Sequence, residues 1–162
     1  MRLMKELGWM VCRLLTKVPE TNRLEMHQSE FFPGRNFAYL MWCGVLVYRD
    51  DRLGRIDLKE QNHECIHLCQ ARAKGSWIKY YLCYLWEILR GFRLKARKYT
   101  AYYTNPFEME AYANEHILDY CERYDASRLK KYRLRNRVEV FARRHDEWRR
   151  VLEELRRNAN NG

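Results

Sequence analysis

Apolar residues near the N-terminus recur every three or four positions, as one face of an amphipathic helix requires. The residues of this stripe are Leu3, Leu7, Met10 and Leu14. The segment begins like a signal peptide, but Glu6 and Arg13 interrupt its apolar run and no small-residue cleavage site follows. We therefore predict an amphipathic helix here and, with no signal peptide, a cytoplasmic protein.

The pattern changes after this helix. A polar stretch at 18–36 contains two prolines and a glycine and predicts a loop. It is followed by FAYLMWCGVLVY, residues 37–48, which is apolar, aromatic and β-branched. This composition predicts a buried strand, or a hairpin bent near Cys43 and Gly44. The polar residues 49–55 predict a turn.

Two helices are predicted in the middle of the chain. The first runs from about Leu58 to Lys74, where Gly75 suits a helix C-cap. The second begins near Ser76, a suitable N-cap, and continues through the apolar sequence WIKYYLCYLWEILRGF. Because it has only about 17 residues and carries charged side chains, a membrane span is disfavoured. We predict a central packing helix instead.

Two more helices are predicted in the last third of the chain. Asn105 is a good N-cap and Pro106 suits a first turn, so a helix is expected through FEMEAYANEHILDYCERY. A long basic helix is expected at about 127–157. The chain is therefore expected to form one domain, residues 1–162, that is mainly α (α+β). Its core is expected at about 37–123, with a short β strand or hairpin before the first core helix.

The sequence NHECIHLCQ contains the pattern H-E-x-x-H, formed by His63, Glu64 and His67. Positions four apart lie on one face of a helix, so both imidazoles can point at one zinc ion. Glu64 lies about 100° round the helix from His63 and can reach a water bound to the metal. Zinc lowers the pKa of that water to about 7, Glu64 takes its proton, and the hydroxide attacks a polarised carbonyl. The pattern predicts a zinc metallopeptidase or a related amide hydrolase, whose partner is a peptide or protein substrate.

A catalytic zinc ion needs a third protein ligand, with water in the fourth position. A three-histidine site of the metzincin type requires glycine at position 70 and histidine at position 73. This chain has Gln70 and Ala73, so that class is excluded. The alternative is a carboxylate from a later helix, for which the segment NPFEMEAYANE offers candidates. These are Glu108, Glu110 and Glu115.

An HExxH helix followed by a helix with the pattern E-x-x-A resembles the gluzincin metallopeptidases, and Glu108 and Ala111 match that spacing. NHECIHLCQ, WIKYYLCYLWEIL and FEMEAYANE together resemble a family of small uncharacterised bacterial zincin-like proteins, over roughly residues 37–123. The resemblance implies a zincin-like fold, zinc binding by the glutamate three residues before the alanine, and an edge strand that pairs with substrate. It implies no known substrate. Gluzincins often carry aspartate after that alanine, where this chain has Tyr112.

Glu108 has a competing role, because Asn105 and Glu108 also have the spacing of a capping box. The E-x-x-A match favours Glu108 as the third zinc ligand, and Glu110 is the alternative. Glu115 lies two turns after Glu108 on nearly the same face, where it orients a histidine or remains a solvated charge. A transition-state oxyanion needs a further donor. Candidates near this helix are Tyr102, Tyr103, Tyr112 and His116.

The net charge of the chain indicates further candidate binding partners. The chain has 31 basic and 21 acidic residues and a net charge of +10, which draws it towards phosphates, acidic lipid surfaces or acidic proteins. The run RLKKYRLRNR at 128–137 is a candidate nucleic-acid contact, although no nucleic-acid-binding signature accompanies it. The N-terminal helix and residues 76–98 suit an acidic membrane surface. The alternative to a zinc hydrolase is therefore a basic nucleic-acid- or membrane-surface-binding protein on an inactive zincin scaffold.

The six cysteines do not change the prediction of a metal site. No two of them form a CxxC pair, and a chain of this length does not need a disulfide framework. On the predicted helix, Cys65 and Cys69 face away from the histidines, so they are not expected to bind the same ion. We expect reduced, mostly buried thiols.

Overall fold

The computed structural model describes residues 2–33, 39–49, 56–93 and 98–132, without the side chains of 98–100 and 131. Its helices are α1 (Arg2–Leu14), α2 (Leu58–Lys74), α3 (Trp77–Arg93), α4 (Lys98–Tyr103), α5 (Pro106–Asn114) and α6 (Leu129–Tyr132), with a 3-10 turn at Ala126–Arg128. Its strands are β1 (Glu25–Gln28), β2 (Tyr39–Trp42) and β3 (Val45–Tyr48). The predicted mainly α, α+β class is confirmed.

The predicted hairpin is formed by β2 and β3. Its turn residues, Cys43 and Gly44, have φ values of 51° and 78°. A two-residue turn of type I′ requires positive φ at both positions, which matches the right-handed twist of the strands. In the sheet, β3 lies between a parallel β1 and an antiparallel β2. Within the described residues, β2 is therefore an edge strand.

The prediction of a loop at 18–36 was wrong for residues Glu25–Gln28, which form β1. This strand is mostly exposed and lacks a hydrophobic pattern, so its sequence gives no strand signal. Its main chain pairs instead with β3 in register from Glu25 with Val45 to Gln28 with Tyr48. Pairing with a neighbouring strand, which local sequence does not reveal, decided its conformation.

The ends of α2 are fixed by local signals. Asp57 is the N-cap, and its side chain forms a reciprocal capping box with Glu60. Gly75 ends the helix in the left-handed conformation, as predicted. Ser76 then accepts a hydrogen bond from the main chain of Lys79 at 3.2 Å, which begins α3. Both predicted boundaries are confirmed.

Two hydrophobic clusters hold α2 in place. The first packs the hairpin turn against α2, α3 and α5, with Cys43, Leu68, Trp77 and Phe107 among its buried members. The second joins α2 to α5 and the segment that follows it. Its buried members are Ile66, Cys69, Ala111, Tyr120 and Cys121. Because α2 is packed on two sides, its remaining face is held at a fixed position relative to α5.

The helix that begins at Asn105 is shorter than predicted. Asn105 caps it as expected, but it ends at Asn114 rather than continuing to residue 124. The side-chain amide of Asn62 donates to the main-chain oxygens of Glu115 and Ile117, at 2.8 and 2.9 Å. These tertiary hydrogen bonds occupy carbonyls that a longer helix would use, so the chain turns there.

The predicted C-terminal helix at 127–157 lies mostly outside the described residues, which end at the short α6. The same is true of 133–137 in the basic run, so nucleic-acid binding stays a prediction. The short α4 was not predicted. No helix that the structure describes combines the length and apolarity needed to cross a bilayer.

Candidate metal centre

The two histidines of the H-E-x-x-H sequence lie on the face of α2 that packs against α5. His63 and His67 are both buried, and their Nε2 atoms are 3.2 Å apart. Their separation of four residues on one helix produces this approach, as predicted from the sequence. The cysteines lie elsewhere. Cys65 contacts the main-chain oxygen of Asn22, and Cys69 lies in the second hydrophobic cluster.

Glu108 on α5 completes a three-residue group. Its Oε2 lies 3.5 Å from Nε2 of His63, and its Oε1 lies 3.4 Å from Nε2 of His67. Glu108 is buried, and its Oε2 has no hydrogen-bond partner. A buried acceptor without a partner costs about 1–3 kcal/mol, which a bound cation would offset.

The spacing of the two imidazoles fits a metal ion. Donor atoms placed tetrahedrally at about 2.0–2.1 Å from a zinc ion are separated by about 3.3 Å. The Nε2 atoms of His63 and His67 are 3.2 Å apart, and each faces a different oxygen of the Glu108 carboxylate, at 3.5 and 3.4 Å respectively. This buried His-His-Glu group could therefore hold a metal ion.

Each histidine is oriented through its second ring nitrogen. Nδ1 of His63 lies 2.9 Å from Oε2 of Glu115, and Lys59 pairs with the other carboxylate oxygen at 3.0 Å. Nδ1 of His67 lies 2.8 Å from Oε1 of Gln70. Because both partners are acceptors, each Nδ1 donates, which leaves each Nε2 facing the centre of the group as the atom that would bind a metal ion. Glu115 therefore has the orienting position that its helical phase suggested, and Gln70 was missed.

Glu110, the alternative ligand, faces away from the histidines. Its Oε2 accepts a hydrogen bond from Nε2 of Gln70 at 2.9 Å, and its Oε1 accepts one from Tyr120 at 3.0 Å. The capping role considered for Glu108 also finds no support. Asn105 accepts from the main chain of Phe107, while the Glu108 carboxylate lies with the histidines. The geometry therefore favours Glu108 as the ligand.

Tyrosines surround the Glu108 carboxylate. Tyr84 of α3 donates to Oε1 of Glu108 at 2.6 Å, which fixes the carboxylate in place. The sequence contains 12 tyrosines, and nothing local distinguishes Tyr84 from the others. Among the predicted donors, Tyr112 packs its ring against His63 with centroids 4.5 Å apart, and Tyr103 packs against Tyr112. His116 is exposed beyond the end of α5.

A cavity of about 280 Å³ opens beside the group. Glu64, His67 and Glu108 form part of its wall, and the edge strand β2 forms another part. Apart from Glu64, His67 and Glu108, the lining of the cavity is aromatic and apolar: Tyr39, Leu40, Met41, Tyr80, Tyr81, Tyr84 and Tyr102. A molecule in this cavity would therefore contact the predicted base and two of the three candidate ligands.

Burial and charge act in opposite directions on the ionisable groups here. Burial lowers the pKa of His63, but the carboxylates of Glu108 and Glu115 outweigh burial and raise this pKa to about 10. Burial raises the pKa of Glu108, but the two histidines hold it well below its usual value. For Glu64, burial outweighs the histidines, and its pKa is raised. Without a metal ion, the histidines and Glu108 thus form a buried ion pair. Beside it, burial favours the protonated form of Glu64.

No known protein family, curated protein or solved structure matches the chain.

Proposed function

We propose that this chain is a zinc-dependent hydrolase of peptide or other amide bonds. His63, His67 and Glu108 are the proposed zinc ligands, and Glu64 is the proposed general base. The observation that supports the proposal is the buried group of His63, His67 and Glu108, in which one carboxylate faces both imidazoles, beside a cavity that Glu64 also lines.

The H-E-x-x-H sequence favours zinc over iron. Two imidazoles and one carboxylate serve both catalytic zinc sites and non-haem iron sites. A glutamate next to the first histidine ligand, as at Glu64, is the arrangement of zinc metallopeptidases, in which it is the general base.

The proposed reaction divides its tasks between the ion and the chain. A zinc ion bound here polarises the scissile carbonyl and lowers the pKa of the attacking water. Glu64 accepts the proton of that water and then donates it to the leaving nitrogen. Burial raises the pKa of Glu64, which favours the uptake of a proton by this carboxylate.

The cavity suits a peptide bound in extended form. Because β2 is an edge strand in the described sheet, its free main-chain groups can pair with a substrate backbone. Leu40, Met41 and Tyr81 offer an apolar surface for a substrate side chain. A peptide with a large apolar residue next to the cleaved bond is therefore the proposed substrate class.

The proposal is tested by comparing Glu64→Gln with Glu122→Gln, an exposed glutamate outside the site. Zinc per chain is measured by elemental analysis, and hydrolysis is measured with a library of quenched fluorescent peptides. We expect about one zinc ion per chain in both variants, and hydrolysis only with the native chain and Glu122→Gln. The proposal fails if the native chain binds no zinc, or if Glu64→Gln hydrolyses peptides as fast as the native chain.

A further inference from the structure

The outer face of α3 consists of only two kinds of side chain. Of its nine exposed residues, six are large and apolar and three are basic. The apolar residues are Ile78, Leu82, Leu85, Trp86, Leu89 and Phe92, and the basic residues are Lys79, Arg90 and Arg93. The one acidic residue of the helix, Glu87, is buried and pairs with Arg90 at 3.3 Å. We call these nine residues the α3 outer face.

The apolar side chains of the α3 outer face are too exposed for residues of a closed core. Their exposed fractions range from 44% to 63%. The opposite side of α3 already packs on the protein through Trp77, Tyr80 and Gly91. The outer stripe therefore runs along about 21 Å of helix without cover from the described residues. Continuous apolar stripes of this size mark interaction sites.

The N-terminal helix α1 has the same character. None of its residues is buried, and its exposed residues include four large apolar side chains and two basic ones. These residues are Arg2, Leu3, Met4, Lys5, Leu7 and Val11. Trp42 connects the two helices, because its ring nitrogen donates to the main-chain oxygen of Met10 at 2.9 Å and its ring stacks on Tyr81 of α3.

The charges of these surfaces identify the partner. The α3 outer face exposes no acidic side chain, so it complements an anionic surface. A second copy of the chain packed on the same face would bring together two faces of the same positive charge, which is unfavourable. The guanidinium of Arg93 lies over the Trp86 ring at 5.7 Å, so cationic and aromatic groups lie side by side. Helices with Trp, Phe and Leu next to Lys and Arg bind in the headgroup layer of bilayers.

We propose that the α3 outer face, assisted by α1, binds the surface of a membrane that contains acidic lipids. The helices lie along the surface and do not cross it. Their apolar side chains enter the headgroup layer, while Lys79 and Arg93 contact lipid phosphates. Because the candidate metal ligands lie on the other side of α3, binding to lipid does not depend on the zinc site.

The test is co-sedimentation of the full chain with vesicles. Phosphatidylcholine vesicles are compared with vesicles that also contain phosphatidylserine, at low and high salt. We expect binding only to the acidic vesicles, weakened by salt. The double variant Leu82→Gln/Leu85→Gln should bind the acidic vesicles at least about tenfold more weakly than the native chain. Its matched control is Leu58→Gln/Leu118→Gln, which changes two leucines of similar exposure elsewhere and should bind like the native chain.

Charge is tested in the same assay. Lys79→Gln/Arg93→Gln should weaken binding to acidic vesicles about thirtyfold, because each cation at an acidic membrane contributes about 1 kcal/mol. Lys17→Gln/Arg123→Gln removes the same net charge away from the face and should have a much smaller effect. His63→Ala should bind vesicles like the native chain, which separates this proposal from the metal site.

Several outcomes would overturn the proposal. One is the absence of co-sedimentation with acidic vesicles at low salt. Another is binding that the Leu82→Gln/Leu85→Gln variant retains in full. A third is a native chain that does not bind vesicles but forms a dimer in light scattering, where the same variant is a monomer. This outcome would assign the α3 outer face to self-association.

Discussion

The side-chain oxygen of Gln70 lies 2.8 Å from Nδ1 of His67. His67 precedes Gln70 by about one turn of α2. The amide nitrogen of Gln70 donates in turn to the main-chain oxygen of Phe107 and to Glu110, both at 2.9 Å. These two donor contacts leave only the oxygen of the amide to face the imidazole. Gln70 therefore fixes the orientation and the tautomer of a candidate metal ligand from a fully buried position.

Gln70→Ala should weaken zinc binding by about 10–100-fold, because the partners that orient metal-binding histidines have effects of this size. Gln61→Ala, an exposed glutamine on the same helix, is the control and should bind zinc like the native chain. Affinity is measured by competition with a chromogenic chelator. Equal affinities of the two variants would show that His67 is positioned without Gln70.

Glu108→Gln and Glu110→Gln separate the two candidate ligands. Glu108→Gln should lower zinc affinity by more than about a hundredfold, beyond the range for an orienting residue, because it removes a charged ligand. Glu110→Gln should lower it by only about tenfold, through the loss of a charged acceptor for Gln70. The same chelator competition measures both. A larger loss in Glu110→Gln would move the third ligand to Glu110.

The stability of the metal-free protein should fall as pH rises above neutrality. The pKa of His63 is 6.5 in a model peptide and about 10 in the folded metal-free site, where the carboxylates of Glu108 and Glu115 favour the charged imidazole against the opposing effect of burial. A raised pKa contributes stability that is complete below pH 6.5 and is lost between pH 6.5 and about 10. Urea unfolding with a chelator present, across this pH window, measures the effect.

The control for this prediction is the slope of stability against pH in two variants. His63→Gln should flatten the decline, whereas His116→Gln, at an exposed histidine, should keep it. Saturating zinc should also remove the decline, because a bound ion replaces the proton on His63. A native metal-free chain with constant stability across the window would contradict the ion pair.

Gly44→Ala should destabilise the protein by about 1–3 kcal/mol, since L-residues rarely adopt a positive φ and the added Cβ meets packed side chains. Gly44 has φ of 78°, and an added Cβ would lie 3.3 Å from the Trp77 ring. Gly8→Ala, at an open position in α1, should stabilise by up to about 1 kcal/mol. Urea unfolding measures both changes, and an equal effect of the two would show that the hairpin turn tolerates a side chain.

Much of the candidate metal site is predictable because helical spacing is local. The interval of four residues brings His63 and His67 together wherever α2 lies in the molecule. The limits of α2 and the turn at Gly44 also follow from local signals that are confirmed, namely a C-cap glycine and a glycine in a two-residue hairpin. Such features need no knowledge of distant parts of the chain.

Other parts of the fold depended on distant contacts. The strand β1 forms because β3 offers it hydrogen bonds, and α5 ends because Asn62 occupies carbonyls beyond Asn114. Neither contact has a signature in the segment that it shapes. The same holds for Tyr84 of α3, which donates to Glu108 of α5. The pattern of neither helix predicts this contact.

The sequence by itself determined that a helix would present His63, Glu64 and His67 together, because these positions are related by the fixed rotation of the α-helix. It left the third ligand open between Glu108 and Glu110. Two positions apart on α5, these residues differ by about 200° around the helix, so only one of them can face α2. The packing of α5 against α2 decided which one, because the rotation of one helix against another depends on side chains that meet from distant parts of the chain.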